Sequence, residues 1–229
     1  LKNKKKIYFM LNLLFPEVCS GCKTILLKKE EVICTQCRHS LPIIGHHNTG
    51  NDTMKQLFYG KFLVENATAI IKFQKRGITQ ELLHNLKYRG QQHISSFFGK
   101  WLGEELAGHT DYQNIEMVIP VPLHKQKLKK RGYNQVEGFG FEIAKALQVP
   151  YIDTILTKES KTESQVFKQR FTRFQTEEIF KIKQPHLING KHILLVDDII
   201  TTGATLENCA LQIFKSNQVK LSIATIAIA

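Results

Sequence analysis

The sequence predicts an α/β protein, in which a largely parallel sheet is flanked by helices and preceded by a small metal-binding module. Three observations support this prediction. Segments with strand and helix patterns alternate from residue 63 onward. Two Cys-x-x-Cys pairs lie within the first 37 residues. The chain has 229 residues of which 42% are hydrophobic, so it can bury a core and is too apolar for a disordered tail.

Four of the first six residues are lysines, and an apolar run from Ile7 to Phe15 follows them. This arrangement superficially matches a signal peptide. The run has nine residues and is broken by Asn12, whereas a membrane span needs about 20. No small-residue cleavage site follows it. We therefore expect a hydrophobic segment that docks on the protein body, no membrane span, and a cytoplasmic location.

The two cysteine pairs predict a zinc site. Its ligands would be Cys19, Cys22, Cys34 and Cys37, since two such turns can place four thiolates around one tetrahedral ion. Four thiolates leave no open coordination position, so the zinc would be structural. Two disulfides or a thioredoxin-like redox pair are the alternatives. His39 is expected to be a solvated neighbour of the site, and Cys209 a packed core residue.

The polar segment from His46 to Asp52 is interpreted as a linker. It divides the chain into a zinc-binding module at residues 1–46, which includes the N-terminal apolar segment, and a larger domain at residues 47–229.

The elements of the larger domain follow from their apolar patterns. Leu82, Leu83 and Leu86 have helical spacing, and two prolines close the strand that ends at Pro122. Strands are predicted at residues 63–73, 115–122, 151–156, 192–196 and 219–229. Helices are predicted at residues 79–88, 94–106, 135–147 and 203–214. Residues 157–177 are predicted to form a polar loop.

The chemistry of the chain concentrates between Ile193 and Thr205. An apolar strand leads into Asp197 and Asp198, then into a loop of small and hydroxylated residues, and then into a helix. Parallel sheets bind ligands at the carboxyl ends of their strands, and backbone N–H groups at a helix N-terminus bind phosphate. The segment lacks the Gly-Lys-Ser/Thr of a Walker loop. An ordinary helix cap is the alternative, but it does not call for paired carboxylates.

All thirteen residues from 193 to 205 resemble the signature of type I phosphoribosyltransferases. Further segments narrow the resemblance to the ComF family, and together they extend from about residue 13 to the C-terminus. These segments are LFPEVCSGC at 14–22, Cys34 with Cys37, LKYRG at 86–90, IPVPLH at 119–124, KRGYNQ at 130–135, and Gln165 with Arg173.

The resemblance implies a type I phosphoribosyltransferase fold that binds phosphoribosyl pyrophosphate with Mg²⁺. Asp197 and Asp198 would hold the ribose and would be the catalytic acids of an active enzyme. The 5′-phosphate loop would comprise Thr201, Thr202, Gly203, Ala204 and Thr205. The pyrophosphate loop would comprise Val121, Pro122, Leu123 and His124. Residues 157–177 would form a mobile loop, in which Phe174-Gln175-Thr176 departs from the family pattern.

The charge balance points to a polyanionic partner, because 32 Lys and Arg against 20 Asp and Glu give a net charge of +12. Leu123 to Gln135 carries a dense positive run with no acid. The residues predicted to contact single-stranded DNA are Lys87, Arg89, Lys125, Lys127, Lys129, Lys130, Arg131 and Tyr133. A solvated basic face or a pyrophosphate-binding surface is the alternative.

The resemblance also implies a role in natural transformation, in which the protein handles incoming single-stranded DNA. Its partners would be a DNA-uptake helicase and recombination proteins. The alternative function is an active phosphoribosyltransferase that transfers phosphoribosyl to an unidentified nitrogen acceptor. No segment identifies that acceptor, and phosphoribosyltransferase domains also serve as regulators without catalysis.

Overall fold

The computed structural model describes residues 15–50, 52–159 and 179–229. Its strands are β1 (Ala67–Lys72), β2 (Met117–Pro120), β3 (Leu156–Glu159), β4 (Ile179–Ile182), β5 (His192–Ile200) and β6 (Lys220–Ile228). Its helices are α1 (Thr35–His39), α2 (His46–Thr49), α3 (Thr53–Gln56), α4 (Ile78–Tyr88), α5 (His93–Ala107), α6 (Lys125–Arg131), α7 (Glu137–Leu147) and α8 (Ala204–Ile213). Short 3₁₀ turns lie at Thr110–Tyr112 and Pro185–Leu187.

Four of these strands form a parallel sheet in the order β1-β6-β5-β2. The central strands are buried along almost their whole length, so they read as continuous apolar runs rather than alternating ones. Leu194 and Val196 pack on one face with α4, α5 and α7. Ile193 and Leu195 pack on the other face with α8 and α3. The predicted parallel sheet with helices on both faces is confirmed.

The cysteine-containing segment packs directly on this domain and shares its core. Cys19, Cys34 and Cys37 belong to the same buried cluster as the apolar residues of α4 and α5. The side-chain amide of Asn85 on α4 donates to the carbonyl oxygen of Ser20 at 2.7 Å. Ile43 bridges to Ile71 of the edge strand β1. The module is therefore fixed to the first helices and to one edge of the sheet.

The segment predicted to be a linker is instead packed against the protein body. Residues 46–49 form α2, and the side chains of His46 and His47 are buried. His47 Nδ1 lies 2.8 Å from Thr68 Oγ1, and its Nε2 lies 3.0 Å from Glu105 Oε2. The linker interpretation is wrong because residues 46–49 form a short helix whose two histidines are buried, although His46 Nδ1 has no hydrogen-bond partner among the described residues. The division at 46/47 stays a prediction.

Two further predictions need correction between residues 151 and 159. Only Tyr151 of the predicted strand pairs with the sheet, through a single bridge to Val118. The chain then turns, buries Ile155 and Leu156, and forms β3, which pairs antiparallel with β4. Three residues of the predicted polar loop therefore lie in a strand. Residues 160–177 of that loop, with Gln165 and Arg173, lie outside the described residues, as do residues 7–14 of the N-terminal apolar run.

Candidate functional site

The four cysteines of the two pairs converge on one point. Their Sγ atoms all lie within 4.8 Å of one another, and Cys22 Sγ is 3.6 Å from Cys34 Sγ. Zinc–sulfur bonds of about 2.3 Å in a tetrahedron place the sulfurs about 3.8 Å apart, so the cluster has the dimensions of a zinc site. His39 is exposed and lies outside this cluster.

Backbone N–H groups support the sulfurs. The amides of Gly21 and Cys34 donate to Cys19 Sγ, at 3.4 and 3.2 Å. The amide of Cys37 donates to Cys34 Sγ at 3.4 Å. A Cβ at position 21 would lie 2.9 Å from Ile78 Cδ1, so glycine allows this turn to approach α4. Such N–H donors stabilise thiolates, which are the form of cysteine that binds metal.

Asp197 and Asp198 lie near the carboxyl end of β5, between β2 and β6. Both are buried, with exposed fractions of 8% and 3%. The backbone N–H of Asp198 donates to Asp197 Oδ1 at 2.9 Å, and Lys87 Nζ on α4 lies 2.9 Å from Asp198 Oδ2. Burial raises the pKa of the Asp197 carboxyl, and the charge of Asp198 raises this pKa further. The pair therefore forms a partly neutralised acidic patch at the sheet edge.

The loop after β5 leads into α8 as predicted. Thr201, Thr202 and Thr205 are exposed, and Gly203 adopts the left-handed conformation with φ = 78°. A Cβ at position 203 would lie 3.0 Å from a ring carbon of Phe58, so glycine serves both the backbone turn and the close packing. The exposed hydroxyls and the first amides of α8 are placed as an anion site requires.

The paired carboxylates and this loop face a cleft of about 630 Å³. Its lining includes Val121, Pro122 and Leu123 of the predicted pyrophosphate loop. His124, the fourth residue of that loop, caps α6 instead, because its Nδ1 accepts from the Gln126 amide at 3.2 Å. The basic side chains that line the cleft are Lys87, Lys127, Lys130, Arg131 and Lys158. Among the described residues, five cations against two acids make this cleft suited to a polyphosphate.

The basic run from residue 125 to residue 131 forms a helix, α6, that was not predicted. All its lysines are exposed: Lys125, Lys127, Lys129 and Lys130. Three cations in its last turn suit the negative end of the helix dipole, and Gly132 ends the helix with φ = 85°. Arg131 is half-buried and contacts Gln135. The cleft therefore opens beside a continuous basic surface.

The remaining predicted DNA contacts have different surroundings. Lys87 lies inside the cleft against Asp198. Arg89 Nη1 lies 3.2 Å from Glu81 Oε1 on the surface. Tyr133 is buried, and its hydroxyl donates to the carbonyl oxygen of Leu86. A buried ring offers no face to a base, so the prediction that Tyr133 stacks on DNA is wrong.

Two residues of the site were missed or undervalued by the sequence reasoning. Lys158 on β3 is 9% exposed, lines the cleft, and has its Nζ 5.0 Å from the ring centroid of Phe180. Its segment was predicted to be loop, and no local pattern marks it. Tyr88 also lines the cleft but is 70% exposed. The sequence signal that could have identified Tyr88 was its position between the basic residues Lys87 and Arg89.

No helix within the described ranges has both the length and the apolar character needed to cross a bilayer.

Comparisons with known proteins concern the fold and the family of this chain. The model of the phosphoribosyl transferase domain family matches residues 137–229, which confirms the predicted fold class. Competence protein ComFC of Streptococcus pneumoniae is 30% identical over 192 residues, covering 80% of this chain and 81% of the relative. DNA utilization protein YhgH of Escherichia coli O157:H7 is 28% identical over 133 residues, covering 56% of this chain and 58% of the relative. A purine phosphoribosyltransferase structure from Pyrococcus horikoshii is 17% identical, with a TM-score of 0.37, over 60% of this chain and 73% of that one.

Proposed function

This chain belongs to the ComF family of competence proteins, and from that premise we propose that it binds phosphoribosyl pyrophosphate with Mg²⁺ and handles single-stranded DNA. The observation that carries the first part is the buried pair Asp197 and Asp198, which faces a cleft lined by five cations. Carboxylates suit a sugar diol, and cations suit a pyrophosphate. Phosphoribosyl pyrophosphate presents both groups on one small molecule.

Each part of the cleft has a role in this proposal. Asp197 and Asp198 accept hydrogen bonds from the ribose hydroxyls. The loop at residues 201–205 holds the 5′-phosphate with backbone N–H groups and threonine hydroxyls. The backbone at residues 121–123 and the neighbouring cations hold the pyrophosphate. Mg²⁺, bound by oxygen ligands of the substrate and the acidic pair, would neutralise pyrophosphate charge.

The second part of the proposal is supported by α6 and by the names of the relatives. A competence protein and a DNA utilization protein both align with this chain. The exposed lysines of α6 provide phosphate contacts that do not depend on base sequence. We place this activity in the cytoplasm, where a DNA-uptake helicase and recombination proteins would deliver and receive the strand.

The four-cysteine cluster completes the proposal as a structural zinc site. Four thiolates would fill a tetrahedral zinc shell and leave no coordination position for a substrate; Cys19, Cys34 and Cys37 are buried within the shared core, and Cys22 is exposed. Zinc at this position would fix the N-terminal module against α4, since the segment is too short to hold a core of its own.

The proposal is tested by titrating phosphoribosyl pyrophosphate into the protein with Mg²⁺ in a calorimeter. Saturable binding is expected in the wild type. It should be lost in the double variant Asp197→Asn/Asp198→Asn and kept in Asp153→Asn, which changes an exposed carboxylate outside the cleft lining. Absence of wild-type binding would remove the phosphoribosyl pyrophosphate site. Consumption of the ligand with an added base or amine would add the transferase activity that we predicted as the alternative.

A further inference from the structure

Tyr88 is an exposed aromatic residue in an unusual setting. Its side chain is 70% exposed, at the last residue of α4 and at the wall of the cleft. The guanidinium carbon of Arg131 lies 5.6 Å from its ring centroid. The ring of His84, one turn earlier on the same helix, lies 5.1 Å away with a tilt of 47°. Two rings and a planar cation therefore form one aromatic cluster on the surface.

Basic groups lie on both sides of this cluster. On one side, Lys127 and Lys130 of α6 share the lining of the cleft with Tyr88. On the other side, Arg76 and Arg89 line a smaller hollow together with His84. Within the described part of the chain, the one acid that lines this hollow is Glu81, which pairs with Arg89 at 3.2 Å and with Lys23 at 3.5 Å. The charge around the exposed ring therefore remains positive.

An exposed ring between two basic surfaces is the arrangement that single-stranded nucleic acid requires. Unpaired bases stack on aromatic side chains, while cations on either side neutralise the phosphates of the neighbouring nucleotides. A duplex keeps its bases stacked on each other and cannot use such a ring. The ring of Tyr133 cannot stack on an unpaired base either, because it is buried, although Tyr133 lies in the same basic sequence run as α6.

We infer that Tyr88 and His84 form a stacking platform for a base of single-stranded DNA, with α6 holding phosphates on one side and Arg76 and Arg89 on the other. This inference rests on the proposed DNA-handling function and names the residues that contact the bases. It places the strand across the mouth of the cleft. Arg131 lines the cleft and also lies over the ring of Tyr88, so it would be a neighbour of both the strand and a ligand inside the cleft.

The test compares the wild type, Tyr88→Ala, Tyr88→Phe and the matched control Tyr59→Ala. Tyr59 is 63% exposed and lies beside Lys55 and Lys61, away from the cleft. Each protein is titrated into a fluorescent oligothymidylate and into an abasic strand of the same length, and anisotropy is measured at several salt concentrations. Thermal unfolding checks that the variants fold, which is expected because Tyr88 makes little contact with the core.

Tyr88→Ala should weaken oligothymidylate binding about tenfold, because one base loses its stacking partner. The affinities of Tyr88→Phe and Tyr59→Ala for oligothymidylate should stay within about twofold of the wild-type affinity. Tyr88→Phe keeps an aromatic ring at position 88, and Tyr59→Ala leaves the platform unchanged. The abasic strand should bind all four proteins alike, and the salt dependence should be unchanged because no phosphate contact is removed.

Three outcomes would overturn the inference. A wild type that binds no strand would remove the DNA-handling function together with the platform. A wild type that binds while Tyr88→Ala binds equally well would leave the function standing and remove only the platform. If Tyr88→Ala kept strand binding but lost the binding of free thymidine or adenine, the Tyr88 ring would bind a free nucleoside or base instead of a base within a DNA strand.

Discussion

Replacing Asp197 by Asn should stabilise the protein at neutral pH, which is the opposite of what most changes at a buried polar residue do. The Asp197 carboxyl is 8% exposed, and burial together with the charge of Asp198 raises its pKa above the ordinary value of 3.8. The folded protein therefore keeps this proton to higher pH than the unfolded chain does. In consequence, the free energy of unfolding falls as the pH rises through the interval between the two pKa values.

The size of the effect follows from this interval. Each pH unit within this interval lowers the free energy of unfolding by up to about 1.4 kcal/mol, so the two units from pH 5 to pH 7 lower it by at most about 2.7 kcal/mol. Lys87 and Lys158 act in the opposite direction, because their positive charges favour the ionised carboxylate. We therefore expect the Asp197 carboxyl to lower the free energy of unfolding by about 1 to 2 kcal/mol between pH 5 and pH 7. An Asn at position 197 can still accept the Asp198 amide with its Oδ1, so the local backbone bond is retained.

Urea unfolding of wild type and Asp197→Asn at pH 5, 6 and 7 measures this effect. Four histidines shift stability with the opposite sign, because desolvation lowers their pKa, but they are the same in both proteins and cancel in the difference. These histidines are His46, His47, His93 and His192. The stability advantage of the variant over the wild type should be about 1 to 2 kcal/mol larger at pH 7 than at pH 5. The exposed control Asp153→Asn should give a flat difference. A flat or negative difference for Asp197→Asn would refute the reasoning.

Two further predictions concern the metal and the phosphate loop. Dialysed wild-type protein should contain about one zinc ion per chain by atomic absorption, and Cys34→Ser/Cys37→Ser should lose it while Cys209→Ala keeps it. Full metal content in the double variant would contradict the four-thiolate site. Gly203→Ala should destabilise the protein by more than the roughly 1 to 2 kcal/mol of Gly190→Ala and should weaken phosphoribosyl pyrophosphate binding. Both positions have positive φ, but only at position 203 would a Cβ meet a ring at 3.0 Å; equal losses in urea unfolding would count against this packing.

The parts of the site that the sequence predicted well are those carried by contiguous residues. Asp197 and Asp198 end an apolar strand, and the following loop opens a helix, so one local pattern contains strand, ligand loop and helix. The rule that parallel sheets bind ligands at the carboxyl ends of their strands then predicts where the ligand site lies. The same is true of the two cysteine pairs, whose short spacing already requires tight turns.

The parts that the sequence could not predict depend on packing between distant elements. Nothing near Lys158 or Lys87 shows that their ammonium groups reach the cleft. Helix α6 escaped prediction because Leu128 is its single apolar residue among seven, and that residue is itself 42% exposed. Apolar periodicity reports only helices that bury a face. Tyr88 and Tyr133 have similar basic neighbours in sequence, and only the fold distinguishes the exposed ring from the buried one.

Three residues near the end of helix α4 connect the cysteine module, the cleft and the exposed surface. Asn85 donates to the cysteine module, Lys87 pairs with Asp198 in the cleft, and Tyr88 faces solvent. These residues span about 4.5 Å along the helix axis, so a displacement of one displaces the others. The cysteine module is therefore coupled to the cleft through α4. If the four cysteines hold zinc as proposed, loss of the metal by oxidation of the thiolates should weaken binding in the cleft, although the oxidant does not contact the cleft.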